Sequence, residues 1–110
     1  MEIVWSPLAK QQLREIAQYV EDNFGINTSK KTIDEIQKKT SKLLLFPESG
    51  SYDKDLSTNN YVVRHITKHP NLVYYIVDGN LIVIMAIAHE RQSPTAISKM
   101  IFRFIEHYEG

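Results

Sequence analysis

The chain has 110 residues, 43% of them apolar, so it can bury one sizeable core and residues 1–110 are expected to form a single domain. It has no cysteine, which excludes disulfides, thiol nucleophiles and thiolate metal sites, and we expect a cytoplasmic protein. Thirteen basic and thirteen acidic residues give a formal charge of zero, which argues against broad charge-driven affinity for nucleic acid, and no apolar run approaches the roughly 18 residues that a membrane span requires.

The first half of the chain predicts a short strand followed by a helical hairpin. Residues 2–5 alternate like a strand, and Ser6-Pro7 is typical of a helix start. Apolar residues at helical spacing predict a first helix over about 7–24, which Gly25 would end. Thr28 or Ser29 can cap a second helix, which Pro47 must end. We interpret the lysines of that helix as an exposed, solvated face: Lys30, Lys31, Lys38, Lys39 and Lys42.

The second half predicts a sheet and a last helix. Residues 48–60 are polar and aperiodic, which indicates a mobile loop. Strands are predicted at Tyr61–Ile66, Leu72–Val77 and Leu81–Ala88, the last inside the sheet because it is apolar on both sides. A hairpin turn is expected at residues 78–80, and helical spacing returns over about 95–108. The fold class is therefore α+β: a strand, a helical hairpin, a three-stranded antiparallel meander and a C-terminal helix.

Polar side chains are expected to converge where the first and third strands of the meander end, because both run antiparallel to the strand between them. This set comprises Arg64, His65, Lys68, His69, His89, Glu90 and Arg91. Its three histidines do not predict a metal site, because His65 and His69 lack a helical spacing and no carboxylate or cysteine completes a ligand set. We expect no metal and no cofactor.

A shallow groove is predicted beside this convergence. Arg64 should pair across from Tyr75, and both should lie on the face that carries Ala86 and Ala88, whose small side chains leave room. Such a groove suits a helix or strand of a partner protein, so Tyr75, Ala86 and Ala88 are candidate partner-binding residues. The opposite face is expected to carry the helical hairpin, on Tyr74, Ile76, Val83, Met85 and Ile87.

Several segments, in order, resemble the RelE/ParE toxins of bacterial type II toxin–antitoxin (plasmid stabilisation) systems. The resemblance spans roughly residues 3–94 and rests on Val4 to Lys10, Phe46 to Gly50, Tyr61 to Arg64, Val73 to Val77, and Ile82 to Pro94. It implies a cognate antitoxin as the immediate protein partner, and it leaves open whether the chain forms a homodimer or only a toxin–antitoxin hetero-oligomer.

The resemblance implies two alternative activities. RelE-type members are ribosome-dependent mRNA endonucleases (mRNA interferases), whereas ParE-type members inhibit DNA gyrase without cutting RNA. Cleavage through the 2′-hydroxyl needs a base, an acid and positive charge, for which Arg64, His89 and Arg91 are the candidate catalytic residues.

Two departures weigh against the nuclease. Asn71 stands where RelE-type nucleases tend to have an arginine, and no tyrosine follows Arg91 at the usual short distance. The ending His89 to Pro94 is closer to the ParE pattern, so the sequence favours a gyrase inhibitor. The alternatives are the mRNA endonuclease and an inert domain that only binds its antitoxin.

Overall fold

The computed structural model describes residues 1–109, which form a five-stranded mixed sheet covered by three α-helices. In chain order the elements are β1 (Glu2–Trp5), α1 (Pro7–Phe24), α2 (Ile26–Ser41), a 3₁₀ turn (Lys42–Leu44), β2 (Ser51–Tyr52), β3 (Arg64–Lys68), β4 (Asn71–Asp78), β5 (Leu81–His89) and α3 (Pro94–Glu109). The strands lie in the order β1-β5-β4-β3-β2, with β1 parallel to β5 and all other neighbours antiparallel. The predicted α+β class and order of elements are confirmed.

The helical hairpin turns at a single glycine. Gly25 ends α1 and also precedes the first residue of α2, in a conformation with φ of +92° that favours glycine. The second helix therefore starts at Ile26, and the predicted caps Thr28 and Ser29 lie inside it. Ser29 is buried, and its hydroxyl donates to the carbonyl of Ala17 at 2.7 Å, which ties the two helices together.

Strand β5 lies inside the sheet, as its apolar sequence predicted. Its residues Ile82–Ala88 are buried between β1 and β4. The pairing with β4 is interrupted, because Tyr75 pairs with Ile84 while the preceding Tyr74 pairs with Ala86. Met85 is therefore an extra residue in β5, which constitutes a β-bulge.

Helix α1 bonds to the backbone of β5 around this bulge. The Ser6 hydroxyl, which accepts from the Ala9 amide at the start of α1, donates to the carbonyl of Met85 at 2.7 Å. Further along, the Ile87 amide donates to Gln12 Oε1 at 2.6 Å. Strand β1 pairs with β5 only as far as Ile84. Beyond that point, the side chains of Ser6 and Gln12 form the hydrogen bonds to the backbone of β5.

The bulge decides which helices the residues after it contact, because one extra residue moves the following side chains of β5 to the opposite face of the sheet. The helical hairpin packs on one face, in a cluster of Ala9, Ile36, Leu43, Val73, Tyr75, Ile82, Ile84 and Ile87. Helix α3 packs on the other, where Ile97, Ile101 and Ile105 contact a cluster that contains Tyr74, Ile76, Val83, Met85, Ala86 and Ala88. The face predicted to carry the helical hairpin was wrong: of the residues expected to contact it, only Ile87 does so.

The segment between the 3₁₀ turn and β3 is mostly irregular, as predicted, but the prediction missed the two-residue strand β2, and the segment is internally bonded. The Asp53 amide donates to the carbonyl of Val63 at 2.9 Å. The Ser57 hydroxyl donates to the carbonyl of Asp53 and accepts from the Val63 amide. These bonds use the amide and the carbonyl of Val63, just before Arg64. Strand β3 begins at Arg64, later than the predicted Tyr61. In residues 1–109, no helix is long and apolar enough to cross a membrane.

Candidate functional site

Tyr75 is fully buried beneath the segment that leads from the 3₁₀ turn to β2. Its hydroxyl accepts from the Gly50 amide at 2.9 Å and donates to the Pro47 carbonyl at 2.7 Å. Arg64 pairs with Tyr75 as predicted, and its Nη1 donates to the Gly50 carbonyl at 3.0 Å. Burial raises the pKa of the Tyr75 phenol, while the bond from Gly50 opposes that shift. The phenol is therefore protonated at neutral pH, and its one proton is held by Pro47.

A second polar pair joins β3 to the loop before it. His65 Nδ1 lies 2.7 Å from Asp53 Oδ2, and the two side chains are only 20% and 21% exposed. A carboxylate beside Nδ1 favours the tautomer that carries its proton there and leaves Nε2 as the acceptor. The His65 ring also lies against Tyr74, with centroids 5.3 Å apart. Burial and the charge of Asp53 raise the pKa of Tyr74 to about 12.

No sequence pattern pointed to Asp53 as a member of this pair. Asp53 lies in a polar stretch without periodicity, so nothing indicated that it would contact His65 rather than solvent. The long loop brings it back to β3 through β2, whose two residues pair with Arg64 and His65.

The end of the β3–β4 hairpin does meet the end of β5, as the topology predicted. Asn71 pairs with His89, and the Glu90 amide donates to the Pro70 carbonyl at 2.9 Å. His69 Nδ1 lies 2.7 Å from Glu90 Oε2, on the surface. His89 Nδ1 accepts from the Arg91 amide at 3.0 Å, so the structure brings these two candidate residues together.

Arg64 does not join them, and its predicted convergence with this end was wrong. It starts β3, and Lys68, four residues further along that strand, pairs with Asn71, which in turn pairs with His89. At about 3.3 Å per residue, Arg64 is displaced by about 13 Å along the strands from His89. His65, the next residue of β3, likewise lies away from this end and contacts Asp53 instead.

The candidate partner-binding residues do not share a face, so the predicted groove was wrong. Tyr75 lies under the helical hairpin, whereas Ala86 and Ala88 lie under α3. The bulge at Met85 separates them, and all three are at most 1% exposed. A partner can reach these side chains only by displacing a covering element, and their role in antitoxin binding stays a prediction.

Among residues 1–109, no three His, Asp or Glu side chains are placed to hold a metal ion. A shallow groove of about 610 Å³ runs between α1 and α2, lined in part by Arg14, Gln18 and Ile33, and it contains none of the predicted site residues.

The fold and the sequence both have known relatives. A solved structure of the chromosomal ParDE TA system from P. aeruginosa is similar to this chain with a TM-score of 0.68 and 21% sequence identity, over 81% of this chain and 95% of that one. At this identity the likeness shows a shared fold. No curated protein matches the chain. Residues 3–94 match the family described as the ParE toxin of type II toxin–antitoxin system, parDE, and this protein therefore belongs to the ParE toxin family.

Proposed function

We propose that this chain is a growth-inhibiting toxin that acts in the cytoplasm on DNA gyrase without cutting RNA, and that a cognate antitoxin neutralises it. Membership of the ParE family supports the toxin role and the antitoxin partner. One observation supports the choice of a non-nucleolytic mechanism: the three residues that RNA cleavage would use are not assembled around one point.

RNA cleavage needs its acid, base and cation within hydrogen-bonding reach of a single phosphate, about 3 Å from each reacting atom. Arg64 lies about 13 Å along the strands from His89. It also already donates to the Gly50 carbonyl. Asn71, which pairs with His89, is neutral and buried. These features favour binding of a protein target over phosphate chemistry.

The alternative is an mRNA endonuclease that uses His89 and Arg91 alone, which is favoured by their contact. Because His89 Nδ1 accepts from the Arg91 amide, the neutral ring carries its proton on Nε2. A neutral imidazole does not give this proton to a leaving oxygen, so the nuclease would need the doubly protonated ring as its acid and Arg91 as its cation.

Induction of the chain in a bacterial host without antitoxin tests both functions. Growth, the 5′ ends of translated mRNA and the supercoiling activity of purified gyrase with added toxin would be measured together. Growth arrest with intact mRNA and loss of supercoiling supports the proposal. Cuts at a fixed codon phase support the nuclease, and growth without arrest indicates an inert domain.

Two double variants separate the mechanisms further. His89→Ala with Arg91→Ala should leave gyrase inhibition intact if the proposal is right, and should abolish mRNA cleavage if the nuclease is right. His69→Ala with Glu90→Ala is the matched control, because it removes an exposed pair from the same end of the sheet.

A further inference from the structure

Three consecutive large apolar residues, Leu44 to Phe46, are exposed at the end of the helical hairpin, and the last two are the most exposed. Leu45 is 75% exposed and Phe46 is 67% exposed. Single exposed apolar residues are normal on protein surfaces, whereas contiguous ones mark interaction sites. Neither of them belongs to the two buried clusters that carry the fold.

The backbone holds these two residues firmly. The amides of Leu45 and Phe46 both donate to the carbonyl of Lys42, at 3.0 and 3.2 Å. On the far side, the Pro47 carbonyl accepts from the buried Tyr75 hydroxyl. A partner would therefore meet side chains on a fixed backbone, which lowers the entropy cost of binding.

Two lysines, Lys38 and Lys42, precede Leu45 and Phe46 on the same side of the chain. Lys38 and Lys42 are four residues apart on α2 and its 3₁₀ extension, so they lie on one side of the helix. Leu45 follows Lys42 by one 3₁₀ turn, in which side chains three residues apart eclipse each other. We call the surface formed by Lys38, Lys42, Leu45 and Phe46 the basic ridge.

The charge around the basic ridge is positive, although the chain as a whole is neutral. From Ile36 to Phe46 there are three lysines and no acidic residue. Asp34 pairs with Lys38 and Glu35 pairs with Lys68 of β3. Lys42 forms no ion pair with any of residues 1–109 and is exposed.

The other end of the helical hairpin has the opposite character. Tyr19, Phe24 and Ile26 are exposed there, and Glu21 and Asp22 lie among them. The two exposed apolar surfaces therefore differ in the charge beside them. The basic ridge favours a partner that carries negative charge next to apolar groups.

We propose that the basic ridge is a docking surface for an acidic amphipathic segment of the antitoxin, with aliphatic or aromatic side chains on Leu45 and Phe46 and carboxylates beside Lys42 and Lys38. This inference rests on the proposed function in taking the antitoxin as the owner of that segment. A second copy of the chain fits less well, because self-association would set the unpaired Lys42 of each copy against like charge. Nucleic acid fits less well too, because a base could stack on Phe46 but offers little aliphatic surface to cover Leu45 beside it.

The test compares antitoxin binding by matched variants. The antitoxin is the protein that relieves the growth arrest, and its Kd for the purified chain would be measured by calorimetry at low and high salt. Leu45→Ser with Phe46→Ser, and separately Lys42→Glu, should each weaken binding about tenfold or more, which corresponds to about 1.4 kcal/mol. Tyr19→Ser with Phe24→Ser and Lys30→Glu are the controls, since they alter exposed residues of the same types elsewhere on the hairpin. Circular dichroism melts confirm that each variant is folded.

The results separate the inference from the function on which it rests. Weaker binding by the ridge variants alone, with a smaller salt dependence for Lys42→Glu, establishes the ridge as the antitoxin surface. Equal binding by all folded variants overturns the inference and leaves the proposed function intact, whereas no antitoxin binding by the native chain overturns both. Loss of toxicity with antitoxin binding preserved would assign the ridge to the target, and loss of a dimer on gel filtration would assign it to a second copy; either result overturns the inference.

Discussion

The Tyr75 hydroxyl and the Gly50 backbone, 25 residues apart in the sequence, occupy space that leaves no room for a side chain between them. The Gly50 amide donates to the Tyr75 hydroxyl at 2.9 Å. A Cβ atom on Gly50 would lie 2.6 Å from that hydroxyl oxygen and 2.9 Å from the His65 carbonyl oxygen. Glycine is required here by close approach of the sheet.

Gly50→Ala should therefore destabilise the protein by about 1–3 kcal/mol, the usual cost of overpacking a filled interior. The His65 carbonyl is backbone and cannot swing away to relieve the contact. Gly79→Ala, where nothing lies within 4 Å of the added Cβ, is the control, and its cost should be only the strain of a positive φ. Urea unfolding measures both, and an equal loss in the two variants would contradict the close-approach argument.

Tyr75→Phe should lower the free energy of unfolding by about 1–3 kcal/mol, because it leaves the buried Gly50 amide without its acceptor and the Pro47 carbonyl without its donor. Tyr74→Phe is the natural comparison. The same atom is removed one residue earlier on β4, from a hydroxyl that makes no hydrogen bond to the described chain. Chemical denaturation of the pair should show the larger loss at Tyr75, and a larger loss at Tyr74 would argue against the bonding described here.

Two histidine–carboxylate pairs of identical length should differ in strength. His65–Asp53 and His69–Glu90 both have an N to O distance of 2.7 Å, but the first is about 20% exposed while His69 is 81% exposed. A double-mutant cycle with alanine should give a coupling of about 1.5–3 kcal/mol for His65–Asp53, as for a sheltered charge-assisted bond. The same cycle at His69–Glu90 should give about 0–1 kcal/mol because water screens that pair. Equal couplings would show that burial of the first pair has no energetic effect.

Alkaline pH should destabilise the fold through Tyr108. A hydrogen bond to Asp78, followed by burial, raises the pKa of its phenol to about 12 from the ordinary 10. The folded state thus holds this proton more tightly than the unfolded state, so the stabilisation is complete below pH 10 and is lost as the pH rises toward 12. Tyr108→Phe should reduce the slope of unfolding free energy against pH in this window. Tyr19→Phe, at an exposed position on α1, is the control, and an unchanged slope in Tyr108→Phe would contradict the assignment.

The order of elements could be predicted because the strongest local signals agree with the tertiary structure. Ser6-Pro7 starts α1 and Gly25 ends it, and apolar runs gave the three strands of the meander. The register between Arg64 and Tyr75 followed from the short turn between β3 and β4.

The faces of the sheet could not be predicted, because β5 gives no sign of where its alternation breaks. Its residues Leu81 to Ala88 are all apolar, so an extra residue at Met85 leaves no trace in the pattern. A strict alternation of side chains, continued through the bulge, assigned Ala86 and Ala88 to the wrong face of the sheet. The site inherited that error, since its predicted groove depended on both alanines lying beside Tyr75.

The contacts of the long loop were beyond sequence reasoning for a different reason. Asp53 and Gly50 lie in a stretch without periodicity, and their partners His65 and Tyr75 are set by tertiary packing. A pattern can show that such a segment lacks regular structure, but it cannot show where the segment is anchored.

The parallel pairing of β1 with β5 also constrains the order in which the chain can fold. The first strand has no sheet neighbour other than the last one, so residues 2–5 must wait for residues 81–84 before they can form backbone bonds. The helical hairpin also cannot pack before these strands form, because the surface that it contacts is built from β4 and β5. On the ribosome, residues 2–44 therefore leave the exit tunnel before the strands on which they pack, and the native structure forms only after β5 has been synthesised.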